Sequence, residues 1–170
     1  MIKLKRAYSG TIAMEGDLVV ELQEMPSMNV AYLTYRPEKG GEHTFDEIAS
    51  CFNKLTELAV REGFDVERPR IGIPVNSQRG LVSYDCCIEV PATSYDGGHG
   101  LSFKDVQGGS YCVLVMKKDS KIIGDSIGSF YQEYAPRHRL CIDPSRPALE
   151  LYTKDTMRYY VPVIITRTIS

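Results

Sequence analysis

The chain has 170 residues, 11 Tyr, no Trp, 25% charged residues and a formal net charge of −2. At roughly 100–200 residues per domain it is expected to be a single domain, 1–170, with a core of its own. Mild acidity with both signs scattered argues against binding nucleic acid by phosphate neutralisation, and no apolar run approaches the roughly 18 residues of a membrane span.

The N-terminus MIKLKRAYSG has neither the apolar stretch nor the small-residue cleavage site of a signal peptide, so a cytoplasmic protein is expected. Residues 1–17 read as an N-terminal extension. Residues 18–24 (LVVELQE) have strand character and end at Met25-Pro26; residues 29–35 (NVAYLTY) form a second strand. Helical periodicity follows. Thr44 and Glu47 make a capping box, Phe45, Ile48, Phe52, Leu55 and Ala59 recur at helical spacing, and Gly63 ends the helix. Residues 70–75 and 81–90 are then predicted as two strands around the turn NSQRG, with Pro91 closing the second.

The later half repeats this order. Residues 110–116 (SYCVLVM) are predicted as a strand, and 122–135 as a helix stopped by Pro136. Gly124 and Gly128 weaken that helix by roughly 1 kcal/mol each and mark either close packing or open space. Residues 148–152 and 159–165 are two further strands joined by a short polar turn. The order strand–helix–strand–strand thus occurs twice, in repeat one at about 18–91 and repeat two at about 105–167. Two such units have too few helices to cover both faces of a large sheet. An α+β fold is expected, an antiparallel sheet with one main helix per repeat and pseudo-twofold symmetry. A seam between similar halves is a favoured place for a pocket.

Five cysteines, Cys51, Cys86, Cys87, Cys112 and Cys141, form no C-x-x-C pair, and His43, His99 and His138 are scattered. Neither a metal site nor a catalytic thiol is expected. Gly97-Gly98-His99-Gly100 lacks the spacing of a phosphate loop, and no cofactor is expected. Glu150 is the most informative residue. Strand alternation places Ala148, Glu150 and Tyr152 on one face and Leu149 and Leu151 on the other. On a solvated face Glu150 is an ordinary surface carboxylate; facing a cavity, it needs a cationic ligand or a proton. Tyr32, Tyr84, Tyr111, Tyr134 and Tyr152 fall on predicted strands or the second helix, as strand propensity also predicts. Such rings can stack on planar ligands or face a cation.

Several short motifs occur in order. The first is Val20-Glu21-Leu22-x-x-Met25-Pro26-x-x-Asn29-Val30-Ala31-Tyr32, and the second is Tyr84-Asp85-Cys86-Cys87-Ile88-Glu89-Val90. Gly108-Gly109-Ser110-Tyr111, Phe130-Tyr131-Gln132-Glu133-Tyr134-Ala135-Pro136 and Pro147-Ala148-Leu149-Glu150-Leu151-Tyr152 follow. In this order they resemble the GyrI-like small-molecule-binding domain, the effector-binding part of many AraC- and MerR-type multidrug regulators, which also occurs alone. The resemblance covers about residues 18–167. It implies an aromatic-lined pocket between the units, with Glu150 as polar anchor. Two departures are visible: Tyr134 stands where a tryptophan is frequent, and residues 1–17 are too short to be a regulator's DNA-binding module.

The expected function is binding of an amphipathic, aromatic or cationic small molecule, such as a drug or toxin, through Glu150, Tyr152, Tyr111, Tyr134, Tyr84 and Tyr32. The resemblance also implies an alternative, since some standalone GyrI-like proteins are hydrolases of this kind: a cofactor-independent hydrolase of electrophilic, cyclopropane-containing genotoxins, with Glu150 as base and Tyr111 as polarising acid. No direct nucleic-acid or membrane partner is expected. A protein partner, gyrase or a separately encoded regulator, is a third reading for which no residue marks an interface.

Overall fold

The computed structural model describes residues 10–15, 18–38, 45–92 and 100–165. His43, Thr44 of the expected capping box, residues 97–99 of the glycine-rich loop and the Phe45 side chain lie outside what is described, as does most of the expected N-terminal extension.

The predicted elements form in the predicted order. They are β2 (Leu18–Met25), β3 (Met28–Tyr35), α1 (Phe45–Arg61), β4 (Arg70–Ser77), β5 (Gly80–Val90), β7 (Gly109–Lys117), α2 (Ser120–Ser129), β9 (Leu149–Tyr152) and β10 (Thr156–Ile164). Three strands escaped the sequence pattern: β1 (Gly10–Glu15), β6 (Ser102–Val106) and the two-residue β8 (Cys141–Ile142). β1 falls within the stretch expected to be an extension and pairs with β2. β6 carries Lys104 and Asp105 and pairs only along β3, so charge masks its strand character.

The chain forms two compact units. One comprises the described residues up to Pro26, Gly108–Ala148 and the described residues from Lys154 onward; the other comprises Ser27–Gln107 and Leu149–Thr153. The first, the α2 unit, has the antiparallel order β1-β2-β7-β10, with β8 against the end of β10. The second, the α1 unit, has the antiparallel order β9-β4-β5-β3-β6. The fold is α+β. Neither unit is a contiguous half of the chain. β2 lies in the stretch expected as repeat one yet pairs with β7, setting Val20 opposite Leu114, and β9 from the later stretch pairs with β4. Periodicity identifies a strand but says nothing about its partner.

In the α1 unit the helix buries the face that periodicity marked. Ile48, Phe52, Leu55 and Ala59 pack with Ala31, Tyr84, Cys86, Ile88, Val90 and Leu101. Burying a side chain such as Phe52 or Leu55 contributes roughly 1.5–3 kcal/mol. Gly63 does end the helix: at φ 78° it allows Phe64 N–H to reach Ala59 O at 3.0 Å and Gly63 N–H to reach Val60 O at 3.0 Å.

The second helix requires a correction. It starts earlier than predicted, because the Asp119 carboxylate accepts from Lys121 and Ile122 N–H at 3.0 and 3.2 Å. It also passes through Pro136. Phe130–Tyr134 form a π-helical turn in which Ala135 N–H reaches Phe130 O, and a last α-turn, Ala135–Arg137, contains the proline. A proline inside an α-helix lacks its N–H and collides with the carbonyl four residues back; the wider π turn sits where that collision would fall. Closure comes at Arg139, held at φ 52°, where Leu140 N–H donates to Ala135 O and Arg139 N–H to Pro136 O. An added Cβ at Gly124 or Gly128 would meet nothing within 4 Å, so these glycines face open space.

Candidate functional site: a carboxylate held by two phenols

The α1 unit assembles a polar cluster from three neighbouring strands and its helix. On β9, Glu150 and Tyr152 are two residues apart and share a face, as alternation requires. β4 brings Gly72 opposite Glu150 and Arg70 opposite Tyr152. On the far side of β4, β5 supplies Tyr84, paired with Pro74. The Tyr84 ring leans along the sheet across Gly72. A Cβ at Gly72 would lie 1.8 Å from the Tyr84 hydroxyl oxygen and 2.4 Å from its ring carbon Cζ, so only glycine fits beneath the ring.

The Tyr84 and Tyr152 hydroxyls both donate to Glu150 Oε2, at 2.6 and 2.7 Å. Phe52 of α1 presents edge contacts to both tyrosine rings, with centroids 6.2 and 6.3 Å away. The Arg70 guanidinium lies 5.8 Å over the Phe52 ring and donates to Thr56 Oγ1 at 3.5 Å. Tyr84 is buried, whereas Glu150 and Tyr152 are half-buried. Burial, reinforced by the Glu150 charge, pushes both phenol pKa values well above the usual tyrosine range. Both groups therefore stay protonated and donate, giving the carboxylate two ordered donors in place of water. The arrangement offers one carboxylate at the edge of an aromatic surface.

Of the residues singled out by sequence, Glu150, Tyr152 and Tyr84 are brought together. Tyr32 sits elsewhere in the α1 unit, with Lys104 Nζ 4.3 Å over its ring; Lys104 in turn pairs with Asp85. Tyr111 and Tyr134 belong to the α2 unit. Tyr111 is 1% exposed, edge-on to Tyr160, with the Arg146 guanidinium 4.8 Å over its ring. Burial raises its pKa, against a lowering effect of Arg146. Tyr134 is also buried, stacked on Phe130 at 5.6 Å and tilted against His138 at 4.2 Å. It borders a cleft of about 290 Å³ together with Leu18, Ile122, Asp125, Ser126, Ser129 and Glu133.

Residue spacing placed Phe52 only in the core, without its contacts to the Tyr84 and Tyr152 rings, and did not mark Gly72 as part of the cluster. Gly72 interrupts the apolar run of β4, a signal of close backbone approach. Spacing likewise did not mark Arg146, 8% exposed, which explains the G-G-x-Y motif in structural terms. Arg146 donates to Asp143 at 2.8 Å and to the Gly108, Ser110 and Val163 carbonyls at 3.3, 3.2 and 3.0 Å. Gly109, at φ 133°, leaves the room that a Cβ, 2.6 Å from Arg146 Nη1, would take.

Among the described residues no group of three or more His, Cys, Asp or Glu is arranged to hold a metal ion, and no helix is long and apolar enough to cross a membrane. Solved structures share the fold. SAV2435 bound to tetraphenylphosphonium is 16% identical, with a TM-score of 0.57 over 85% of this chain and 93% of that one. The EcmrR C-terminal domain is 9% identical, with a TM-score of 0.68 over 88% and 99%. A protein from Listeria innocua described as a hydrolase is 11% identical, with a TM-score of 0.58 over 85% and 91%. No match was found among curated protein sequences. The model of the GyrI-like small molecule binding domain matches residues 18–166, and the chain belongs to that family.

Proposed function

We propose that the domain binds a lipophilic aromatic cation against the Glu150 cluster, with Tyr84, Tyr152 and Phe52 supplying ring surface. The observation that carries this reading is the convergence of two phenol donors on one carboxylate oxygen beside the Phe52 ring. The phenols hold the carboxylate in a fixed orientation, and the charge then attracts a cation whose hydrocarbon covers the rings. At about 5 Å and an effective dielectric constant near 20, that attraction is about 3 kcal/mol before competition from solvent. The tetraphenylphosphonium complex of SAV2435, a protein of the same fold, supports this choice of ligand class.

The test is calorimetric titration with tetraphenylphosphonium and with neutral tetraphenylmethane carried in a detergent-free cosolvent. Glu150→Gln keeps an oxygen acceptor for both phenols but removes the charge. It is expected to weaken the cation about 10- to 100-fold, equivalent to about 1.4–2.8 kcal/mol, and to leave the neutral compound unchanged. Equal affinity of wild type and variant for the cation would overturn the proposal.

Hydrolysis of an electrophilic substrate is the second reading, favoured by the same contact. Glu150 would take a proton from water as its oxygen bonds to a cyclopropane carbon, while a phenol polarises the substrate carbonyl that receives the electrons of the broken C–C bond. The phenols in hydrogen-bond contact with Glu150 are Tyr84 and Tyr152, which would take the part expected of Tyr111. Product release from a cyclopropane-containing electrophile, lost in Glu150→Gln, distinguishes this reading from binding alone.

A further inference from the structure

The Glu150 cluster has a cation of its own. Arg70 opens β4 and pairs with Tyr152, while Gly72, two residues on, pairs with Glu150. Directly paired residues share a face of the sheet, so Arg70, Tyr152 and Glu150 all lie on the side where Phe52 of α1 meets the Tyr84 and Tyr152 rings. Arg70 and Glu150 are therefore diagonal neighbours across the two strands, about 7–8 Å apart at the backbone, a spacing that long side chains bridge.

The two opposite charges are nevertheless not joined. The Glu150 carboxylate accepts from the Tyr84 and Tyr152 hydroxyls. The exposed Arg70 guanidinium is stacked 5.8 Å over the Phe52 ring, and its one side-chain hydrogen bond among the described residues, to Thr56 Oγ1, is long at 3.5 Å. It forms no ion pair with any described carboxylate, whereas Arg68, Arg146 and Arg158 pair with Glu89, Asp143 and Glu21. A guanidinium carries five N–H donors in a planar fork that matches the edge of a carboxylate. On Arg70 that fork is held only by a ring face and one weak acceptor.

We infer that Arg70 is a specificity-determining residue and that the ligand is zwitterionic: an aromatic compound whose cationic centre faces Glu150 and whose carboxylate is taken by the Arg70 fork. The inference rests on the Glu150 reading above and narrows its ligand class. A purely cationic compound brings like charge towards Arg70 and shares the Phe52 ring with a resident guanidinium. An added carboxylate turns that repulsion into an ion pair, so the same residue disfavours one class and favours the other. Moving the guanidinium onto the ligand exchanges a long hydrogen bond for a charge-assisted, bidentate one.

The experiment is calorimetric titration of the full chain with two probes that share one cation. They are carboxybutyl-triphenylphosphonium, zwitterionic at neutral pH, and its primary amide, which keeps the size but not the anion. The wild type is expected to bind the carboxylate about 5- to 10-fold more tightly than the amide. Arg70→Gln should bring that ratio to about one, and Arg70→Lys, which keeps the charge but loses the fork, should retain part of it. Lost packing on Phe52 would instead weaken both probes alike and leave the ratio intact. Glu150→Gln acts on the shared cation and should weaken both. Equal wild-type affinity for the two probes, with both still dependent on Glu150, overturns the zwitterion and leaves the cation reading standing. A ratio that depends on Arg70 while neither probe depends on Glu150 overturns the Glu150 half alone. A preference that survives Arg70→Gln, or no binding of either probe, overturns the proposal.

Discussion

Gly72→Ala tests the geometry of the Glu150 cluster directly. At an unstrained strand position, replacing glycine by alanine ordinarily stabilises by about 0.4–1 kcal/mol, because the unfolded chain loses freedom. Here the added methyl would lie 1.8 Å from the Tyr84 hydroxyl oxygen and 2.8 Å from Cε1, so the ring has to swing off the sheet. That movement breaks the 2.6 Å hydrogen bond to Glu150, worth about 1.5–3 kcal/mol for a charged acceptor. It also strains a side chain that is only 3% exposed, at about 1–3 kcal/mol. Against the backbone gain, the net destabilisation is about 3 kcal/mol. For a chain of this size it corresponds to a fall in Tm of about 6–12 °C. Urea unfolding with an unchanged m-value is the assay, and Tyr84→Val in the Gly72→Ala background should recover part of the loss by vacating the space. A neutral or stabilising Gly72→Ala would refute the packing of Tyr84 over Gly72, and with it the orientation of the cluster.

Gly124→Ala and Gly128→Ala should behave in the opposite way. Neither Cβ meets an atom within 4 Å, so helix propensity alone acts, stabilising by about 1 kcal/mol each. The double variant should melt about 4–8 °C higher by calorimetry, and an unchanged or lower Tm would show that something occupies that space. Asp143 provides a pH prediction. Hydrogen bonds from Ser145 and then from Arg146 hold its carboxyl at about 2, below the ordinary 3.8. A depressed carboxylate pKa contributes stability that is fully present above the unfolded value and is lost as pH falls through the folded one. Stability should therefore decline between about pH 4 and 2, and Asp143→Asn should have a flatter profile there by urea titration.

Residue spacing alone was enough to place the major elements and their order. It also placed the buried face of α1, Gly63 at its end, and Glu150 and Tyr152 on one face of a strand. These are local properties: side-chain period, backbone freedom and alternation act within a few residues of chain. Edge strands were less legible, since β6 spends its short length on Lys104 and Asp105 and pairs on one side only. The course of the second helix was also hidden, because a π turn ahead of Pro136 removes the collision that normally makes proline a stop.

The motif order likewise pointed to the family, and the family model bears it out. What sequence alone could not decide was partnership. Only the fold shows that β2 joins β7 and β9 joins β4, because hydrogen-bond pairing is set by which surfaces bury together and leaves no period along the chain. The same holds for the tyrosines. Tyr84 reaches Glu150 from 66 residues away over the space that Gly72 leaves, whereas Tyr111 is stacked under Arg146. The tyrosine-rich, tryptophan-free composition was visible from the start, but tertiary packing decided which rings serve the carboxylate and which fill the core.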